Sequence, residues 1–173
     1  LIMAIVNLDK IQAGYNGNLE SVVVYTTKAG TTKKADFANG LFVVLGGLLS
    51  EYGREVYKAS PTVNKEVGEV LLVSSPELMY DETKKLDDFV NKKGKASRAY
   101  HLAEGDVFTF TADLLPGAVA VGNVLVADAD GKLAVQAEIA TGLDQKITFE
   151  VIEDCGYELH IEKKAFALKV HRA

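Results

Sequence analysis

Histidine, cysteine and clustered carboxylates are the residue types through which this chain could bind a metal ion or catalyse a reaction. His101, His160 and His171 each lie in an apolar, strand-like segment, and none has a second ligand at metal-binding spacing. Cys155, the single cysteine, follows two acidic residues whose charge is expected to raise its pKa and reduce its reactivity. We expect the histidines to be ordinary strand residues and Cys155 to be buried or half-buried with a structural role.

The acidic pairs and the Asp-Gly motif also favour structural roles. Asp87-Asp88 and Glu153-Asp154 are adjacent in sequence, so their side chains diverge instead of forming an acid–base dyad. The segment Asp128-Ala129-Asp130-Gly131 lacks the flanking ligands of a calcium loop and predicts a hairpin turn. No phosphate loop, zinc-protease motif or nucleophile elbow occurs. The sequence therefore predicts no catalytic residue, no cofactor and no metal, and a protein that is not an enzyme.

The overall composition excludes several classes of protein. Of 173 residues, 48% are apolar and 25% charged, which is typical of a globular chain with a hydrophobic core. No apolar run is long enough to span a membrane. The net charge is −5, and the densest lysine cluster (Lys92, Lys93, Lys95) lies beside two aspartates. We expect no membrane segment and no nucleic-acid partner, because nucleic-acid binding normally needs a basic stripe.

Runs of β-branched and aromatic residues separated by turn residues predict many short strands. The predicted strands are 21–27, 41–45, 54–59, 67–73, 97–102, 107–111, 119–126, 132–135, 146–152, 157–161 and 165–170. Ser75-Pro76-Glu77, followed by apolar residues at helical spacing, predicts one short helix near 76–92, with an ordered loop as the alternative. We expect a mainly β (α+β) fold that ends in a C-terminal β-barrel or sandwich of short antiparallel strands.

The chain is expected to divide into an N-terminal arm (1–19), a β-rich region with the helix (20–95) and a barrel or sandwich (96–173). One continuous domain over 20–173 is the alternative. Gly14-Tyr15-Asn16-Gly17-Asn18 gives the arm a turn-rich, adaptable sequence. Such an arm can add itself as a strand to a neighbouring protein, or it can form a strand in its own sheet.

Several segments resemble structural proteins of tailed bacteriophages and prophages. They are SPELMYDE at 75–82, LDDF at 86–89, GKASRAYHL at 94–102 and GDVFTFT at 105–111, with a similar start, MAIVNL, at 3–8. The run PGAVAVGNVLV at 116–126, with GKL at 131–133, resembles a hairpin pattern of phage head decoration (cement) proteins.

The resemblance implies a non-enzymatic virion protein, made in the host cytoplasm, on the exterior of a phage capsid. Such proteins bind the assembled major capsid protein and brace the shell. Trimers are frequent in that class, so self-association is expected, and an N-terminal arm commonly lies on the capsid. The contact residues that this implies are Ile5, Val6, Asn7, Leu8, Ile11, Tyr15 and Asn16. A head-fibre base, a tail component or a host-surface binding module are the alternatives.

Overall fold

The computed structural model of the chain describes residues 5–10, 17–28, 30–53, 55–61, 69–78, 83, 88–136 and 147–172. Its strands are β1 (Val6–Lys10), β2 (Leu19–Lys28), β3 (Thr31–Lys34), β4 (Leu41–Leu48), β5 (Val56–Ser60), β6 (Leu71–Val73), β7 (Ser97–His101), β8 (Val107–Thr111), β9 (Val124–Ala127), β10 (Leu133–Val135), β11 (Ile147–His160) and β12 (Lys163–Arg172). Short 3-10 turns occur at Ser50–Tyr52 and Ala112–Leu114. The prediction of a mainly β fold is confirmed.

Five strands close into a barrel in the order β2–β5–β4–β6–β7, because β7 pairs both with β6 and with β2. β2 and β5 run parallel, and the other pairs are antiparallel. β3 extends the barrel as a hairpin partner of β2. Closure gives both edges of β2 and β7 a partner and so protects them from pairing with other chains.

The remaining strands form a six-stranded antiparallel sheet in the order β1–β8–β12–β11–β9–β10. The closed barrel is therefore built from strands between residues 19 and 101, and β1 together with the C-terminal strands forms an open sheet that packs on it. The turn between β9 and β10 fixes this packing, since Phe42 N–H donates to Gly131 O at 2.9 Å. Gly131 has φ +72°, and a Cβ at this position would overlap the backbone oxygen of Phe42.

Barrel strand β6 and the first part of β4 are buried on both faces, which explains their continuous apolar sequences. Val43 and Leu71 point into the barrel, whereas Phe42 and Leu72 point outward to the open sheet. The outward residues join a second core that fills the space between barrel and sheet. Sheet residues of that core are Phe108, Phe110, Leu125, Phe149, Val151 and Leu168, all fully buried.

β11 is one strand of 14 residues, although the sequence predicts two strands that end and begin around Cys155-Gly156. The register with β12 shifts between Val151 and Glu153 and again between Asp154 and Gly156. Gly156 has φ +58°, which a β-bulge accommodates without ending the strand. A glycine that indicates a turn in the sequence is therefore a bulge in the structure.

The helix predicted near 76–92 falls partly on residues 79–82 and 84–87, which lie outside the described residues. The described residues 76–78 have no regular secondary structure, and Asn91 forms a β-bridge with Phe37. Ser75, the expected helix cap, instead accepts a hydrogen bond from Arg98 N–H at 3.2 Å through its hydroxyl. Its hydroxyl is therefore already bonded to the neighbouring chain segment.

The division into an arm, a region 20–95 and a region 96–173 stays a prediction, and the strands do not sort by those boundaries. β7 follows residue 95 but lies in the barrel, whereas β1 precedes residue 20 but lies in the open sheet. The two layers share one core, because Phe42 of the barrel packs against Phe149 of the sheet with ring centroids 4.8 Å apart.

Candidate functional site

β1 contains the described part of the expected contact arm. Ile5 is buried, and its N–H donates to Thr111 Oγ1 at 3.2 Å. Val6 and Leu8 are half-buried against the core, whereas Asn7 is exposed. Outside the described residues lie Ile11, Tyr15 and Asn16. Because the apolar side chains of β1 pack against the fold, contact with a partner is left mainly to Asn7 and the backbone.

β1 is the end strand of its sheet, and its one strand neighbour among the described residues is β8. Thr111 N–H donates to Ile5 O at 3.4 Å, so Ile5 and Thr111 are a hydrogen-bonded pair. Bonded and non-bonded pairs alternate along an antiparallel ladder, so the N–H and C=O groups of Val6 and Leu8 point away from β8. These four backbone groups form an edge, which we call the β1 edge, to which another strand can bind.

The β11–β12 hairpin ends in a segment that we call the hairpin tip, residues 152–164. β9 pairs with β11 before this segment, so within the tip β11 has β12 as its one described strand partner. Three apolar side chains of the tip are exposed: Ile152 by 38%, Tyr157 by 58% and Ile161 by 87%. These side chains give the exposed end of the hairpin apolar surface that is available to a partner.

Carboxylates surround these apolar side chains. The exposed acidic residues of the tip are Glu153, Asp154, Glu158 and Glu162. Lys163 pairs with Asp113 at 3.3 Å and Lys164 with Asp154 at 3.5 Å, so both lysines of the tip are already engaged. The other three carboxylates form no ion pair with a described residue, which leaves the tip with an excess of negative charge.

Cys155 lines a cleft of about 330 Å³ on the outer face of the open sheet, together with Thr109, Leu159 and Ala167. Burial raises the pKa of the Cys155 thiol, and the negative charge of Glu153 raises it further. The thiol is therefore protonated at neutral pH and a weak nucleophile. Its half-buried position agrees with the prediction from sequence.

His101 lies in β7 between two carboxylates. Its Nδ1 lies 2.8 Å from Glu69 Oε1, and its Nε2 lies 3.5 Å from Glu20 Oε1. The guanidinium of Arg172, on β12, lies 3.6 Å from the same Glu69 oxygen. This group of charges joins barrel strands β2 and β7 to the last residue of β12 in the open sheet.

His171, on β12, also lies between two carboxylates. Its Nδ1 lies 3.2 Å from Glu104 Oε1, and its Nε2 lies 2.8 Å from Glu150 Oε2. Glu104 also accepts the backbone N–H of Arg172, and this bond holds the pKa of the Glu104 carboxyl below its ordinary value. Within the described ranges no group of three or more His, Cys, Asp or Glu side chains is placed to hold a metal ion. The strand positions predicted for His101 and His171 are confirmed, and their contacts support the fold.

Lysines from three separate segments meet on one side of the barrel, which we call the basic face: Lys34 on β3, Lys58 on β5 and the turn 92–95. The ring of Tyr25 lies between the first two, with Lys34 Nζ 5.9 Å and Lys58 Nζ 5.1 Å from its centroid. Such cation–π contacts hold the two ammonium groups on the barrel surface.

Tyr52 attaches the lysine-rich turn to this surface. Its hydroxyl accepts a hydrogen bond from Lys34 Nζ at 2.9 Å and donates one to Gly94 O at 2.7 Å. Glu51 neutralises Lys34 at 2.6 Å, and these bonds raise the pKa of the Lys34 ammonium. The exposed lysines of the basic face are Lys58, Lys92, Lys93 and Lys95.

Comparison with known proteins gives no match to a family model, a curated protein or a solved structure. In the part of the chain that the structure describes, no helix is both long and apolar enough to cross a membrane.

The sequence analysis missed both the hairpin tip and the basic face. The tip was not predicted because Cys155-Gly156 indicates, in the sequence, a turn between two short strands. The basic face is hidden because Lys34, Lys58 and the turn 92–95 are far apart in the sequence and meet only when the barrel closes. The mixture of acidic and apolar residues from 152 to 162 is the one local signal that points to the tip.

Proposed function

We propose that this chain is a structural virion protein that binds the outside of a tailed-phage capsid and stabilises the shell by contact with the major capsid protein. The β1 edge is the observation that carries a contact function. The resemblance of segments between 75 and 111 to structural proteins of tailed phages, and of 116–133 to head decoration proteins, supports the capsid as the partner. On this proposal the protein catalyses no reaction.

The proposed contact adds a strand of the capsid protein to the β1 edge. The N–H and C=O groups of Val6 and Leu8, which point away from β8, supply two donors and two acceptors. Each backbone hydrogen bond contributes about 1 kcal/mol net, so the edge alone gives weak binding. Residues beyond β1 in the arm, or several copies bound at once, are expected to raise the affinity.

Co-sedimentation with expanded shells assembled from the major capsid protein of the same genome tests the proposal. We expect saturable binding at a fixed number of copies per shell. Val6→Pro removes an edge-facing N–H that bonds nothing in β8, and we expect it to weaken binding at least tenfold. Val6→Ala removes a similar side-chain volume but keeps the N–H, so it is the matched control.

Absence of saturable binding to any shell would contradict the capsid assignment. Equal binding by Val6→Pro and Val6→Ala would instead show that the shell is bound through a different surface. A thermal melt of each variant confirms that the fold is intact before the binding data are compared.

A further inference from the structure

We propose that the hairpin tip of one copy docks on the basic face of a second copy. Two separate surfaces of the same chain carry charges of opposite sign and exposed apolar or aromatic groups. Neither surface is needed for the proposed strand addition at the β1 edge. The inference concerns the free protein and goes beyond the capsid assignment, because it is tested without any shell.

Charge is the first complementary property of the two surfaces. Three carboxylates of the tip (Glu153, Glu158, Glu162) have no ion-pair partner among the described residues. On the basic face, the ammonium groups of Lys58 and of the turn 92–95 are exposed. Glu51 pairs with Lys34, and Asp36 adds one carboxylate beside the turn, where it accepts the Lys93 N–H at 2.6 Å. Opposite potentials of this kind favour association and fix its orientation.

Apolar and aromatic groups are the second complementary property. Ile161 and Tyr157 are the most exposed apolar side chains of the tip. The basic face is built around the half-buried rings of Tyr25 and Tyr52. Burying the tip side chains against these rings removes apolar surface from water at the centre of the contact, with the ion pairs at its rim.

A protein partner with an acidic, apolar surface fits the basic face better than a nucleic acid does. The face combines separate ammonium groups with two tyrosine rings and lacks the continuous basic stripe that nucleic-acid binding normally needs. The hairpin tip of a second copy is such a partner. Because tip and face are different surfaces, the contact is head-to-tail and generates a ring or an open chain of copies.

Light scattering on size-separated protein and sedimentation velocity test this inference, with a monomer mass of 18.6 kDa as reference. We expect masses above the monomer that rise with protein concentration and fall between about 0.05 M and about 0.5 M salt. The variants E158K/E162K (tip) and K58E/K93E (face) should each weaken self-association at least tenfold. D130K and K132E change exposed charges in the β9–β10 turn and should leave it unchanged.

Mixing the two variants gives the decisive result. In the mixture, the unchanged acidic tip of K58E/K93E can dock on the unchanged basic face of E158K/E162K. The lysine-bearing tip of E158K/E162K can dock on the glutamate-bearing face of K58E/K93E. Mixed oligomers should therefore form. Failure of the mixture to associate, or a wild-type mass equal to the monomer at every concentration, overturns the inference. Retention of duplex DNA by a monomeric wild type, lost in K58E/K93E, also overturns it and assigns the basic face to polyanions.

Discussion

Asn39 is a buried residue whose side chain holds two neighbouring chain segments together by hydrogen bonds. It is 2% exposed, and its amide nitrogen donates to Ser75 O at 2.8 Å and to Glu77 Oε1 at 3.1 Å. Its amide oxygen accepts the Ser75 N–H and the Asn91 amide, each at 2.9 Å. Both donors and both acceptor positions of the amide are therefore used.

Asn39→Asp tests this network, because it keeps the shape of the side chain and replaces the donor group by a carboxylate oxygen. That oxygen would face Ser75 O and the Glu77 carboxylate, so we expect a loss of about 3 kcal/mol in the free energy of unfolding, measured in urea. Asn123→Asp is the control, since Asn123 uses only its oxygen, which accepts Ala120 N–H at 2.9 Å. Equal losses for the two variants would contradict the account of Asn39.

Glu104 gives the protein a pH-dependent contribution to stability. Its pKa in the folded chain lies below the ordinary 4.5, first because it accepts the Arg172 N–H and then because of His171. For a carboxyl with a lowered folded pKa, the stabilisation is present above 4.5 and is lost as the pH falls through the folded value.

Glu104→Gln should therefore be less stable than the wild type at pH 7, and the difference should shrink as the pH falls below about 4.5. Urea unfolding over a pH series measures this difference. Glu55→Gln, at an exposed carboxylate just before β5, is the control for the loss of one surface negative charge. A pH-independent difference for Glu104→Gln would show that the Glu104 bonds do not stabilise the folded chain.

At the scale of elements, β4 and β11 connect the two layers. Phe42 on β4 and Phe149 on β11 are fully buried and in ring contact, and Phe42 also lies 6.2 Å from Phe108 between centroids. The aromatic cluster thus contains side chains of a barrel strand and of two sheet strands. Docking of the open sheet on the barrel depends on it.

Phe42→Ala and Phe149→Ala should each lower the free energy of unfolding by about 3–5 kcal/mol. The double variant should reveal a coupling of about 1 kcal/mol, because the two rings are in contact. Val24 lies inside the barrel in a different cluster, so Val24→Ala and Phe149→Ala should be additive. Additive losses for the Phe42 and Phe149 pair would show that the layers are not coupled through these rings.

Local signals predicted most strands but not how the strands pair. The β-branched run of β2 and the Asp-Gly turn between β9 and β10 act over a few residues, so the sequence displays them directly. Closure of the barrel by β2 and β7 and the pairing of β1 with β8 join residues up to about a hundred positions apart. No local pattern specifies such pairs, because they depend on the packing of the whole chain.

The expected contact residues were predictable only in part for the same reason. The sequence of Ile5 to Leu8 is compatible with an adaptable arm or with a strand. Only the register with β8 shows which backbone N–H and C=O groups point away from that strand. The sequence gives the apolar character of Val6 and Leu8 but not their packing against the core. Strand addition by the arm was one expectation, and the register with β8 adds which backbone groups of β1 face away from the sheet.

At the scale of the whole molecule, the barrel and the open sheet hold three surfaces in fixed relative positions. The β1 edge lies at one side of the sheet, the hairpin tip at the end of β11 and β12, and the basic face on the barrel. The shared core and the charges around His101 and His171 join the two layers. A rigid body with separate surfaces suits a protein that contacts a shell and its own copies together.

Electron cryomicroscopy of expanded shells incubated with the purified protein tests the central claim most directly. The account predicts added density on the outer surface at regular lattice positions, with β1 next to a strand of the major capsid protein. Val6→Pro should reduce this density and Val6→Ala should keep it. A bare outer surface at saturating protein concentration would contradict the assignment of this chain to the capsid exterior.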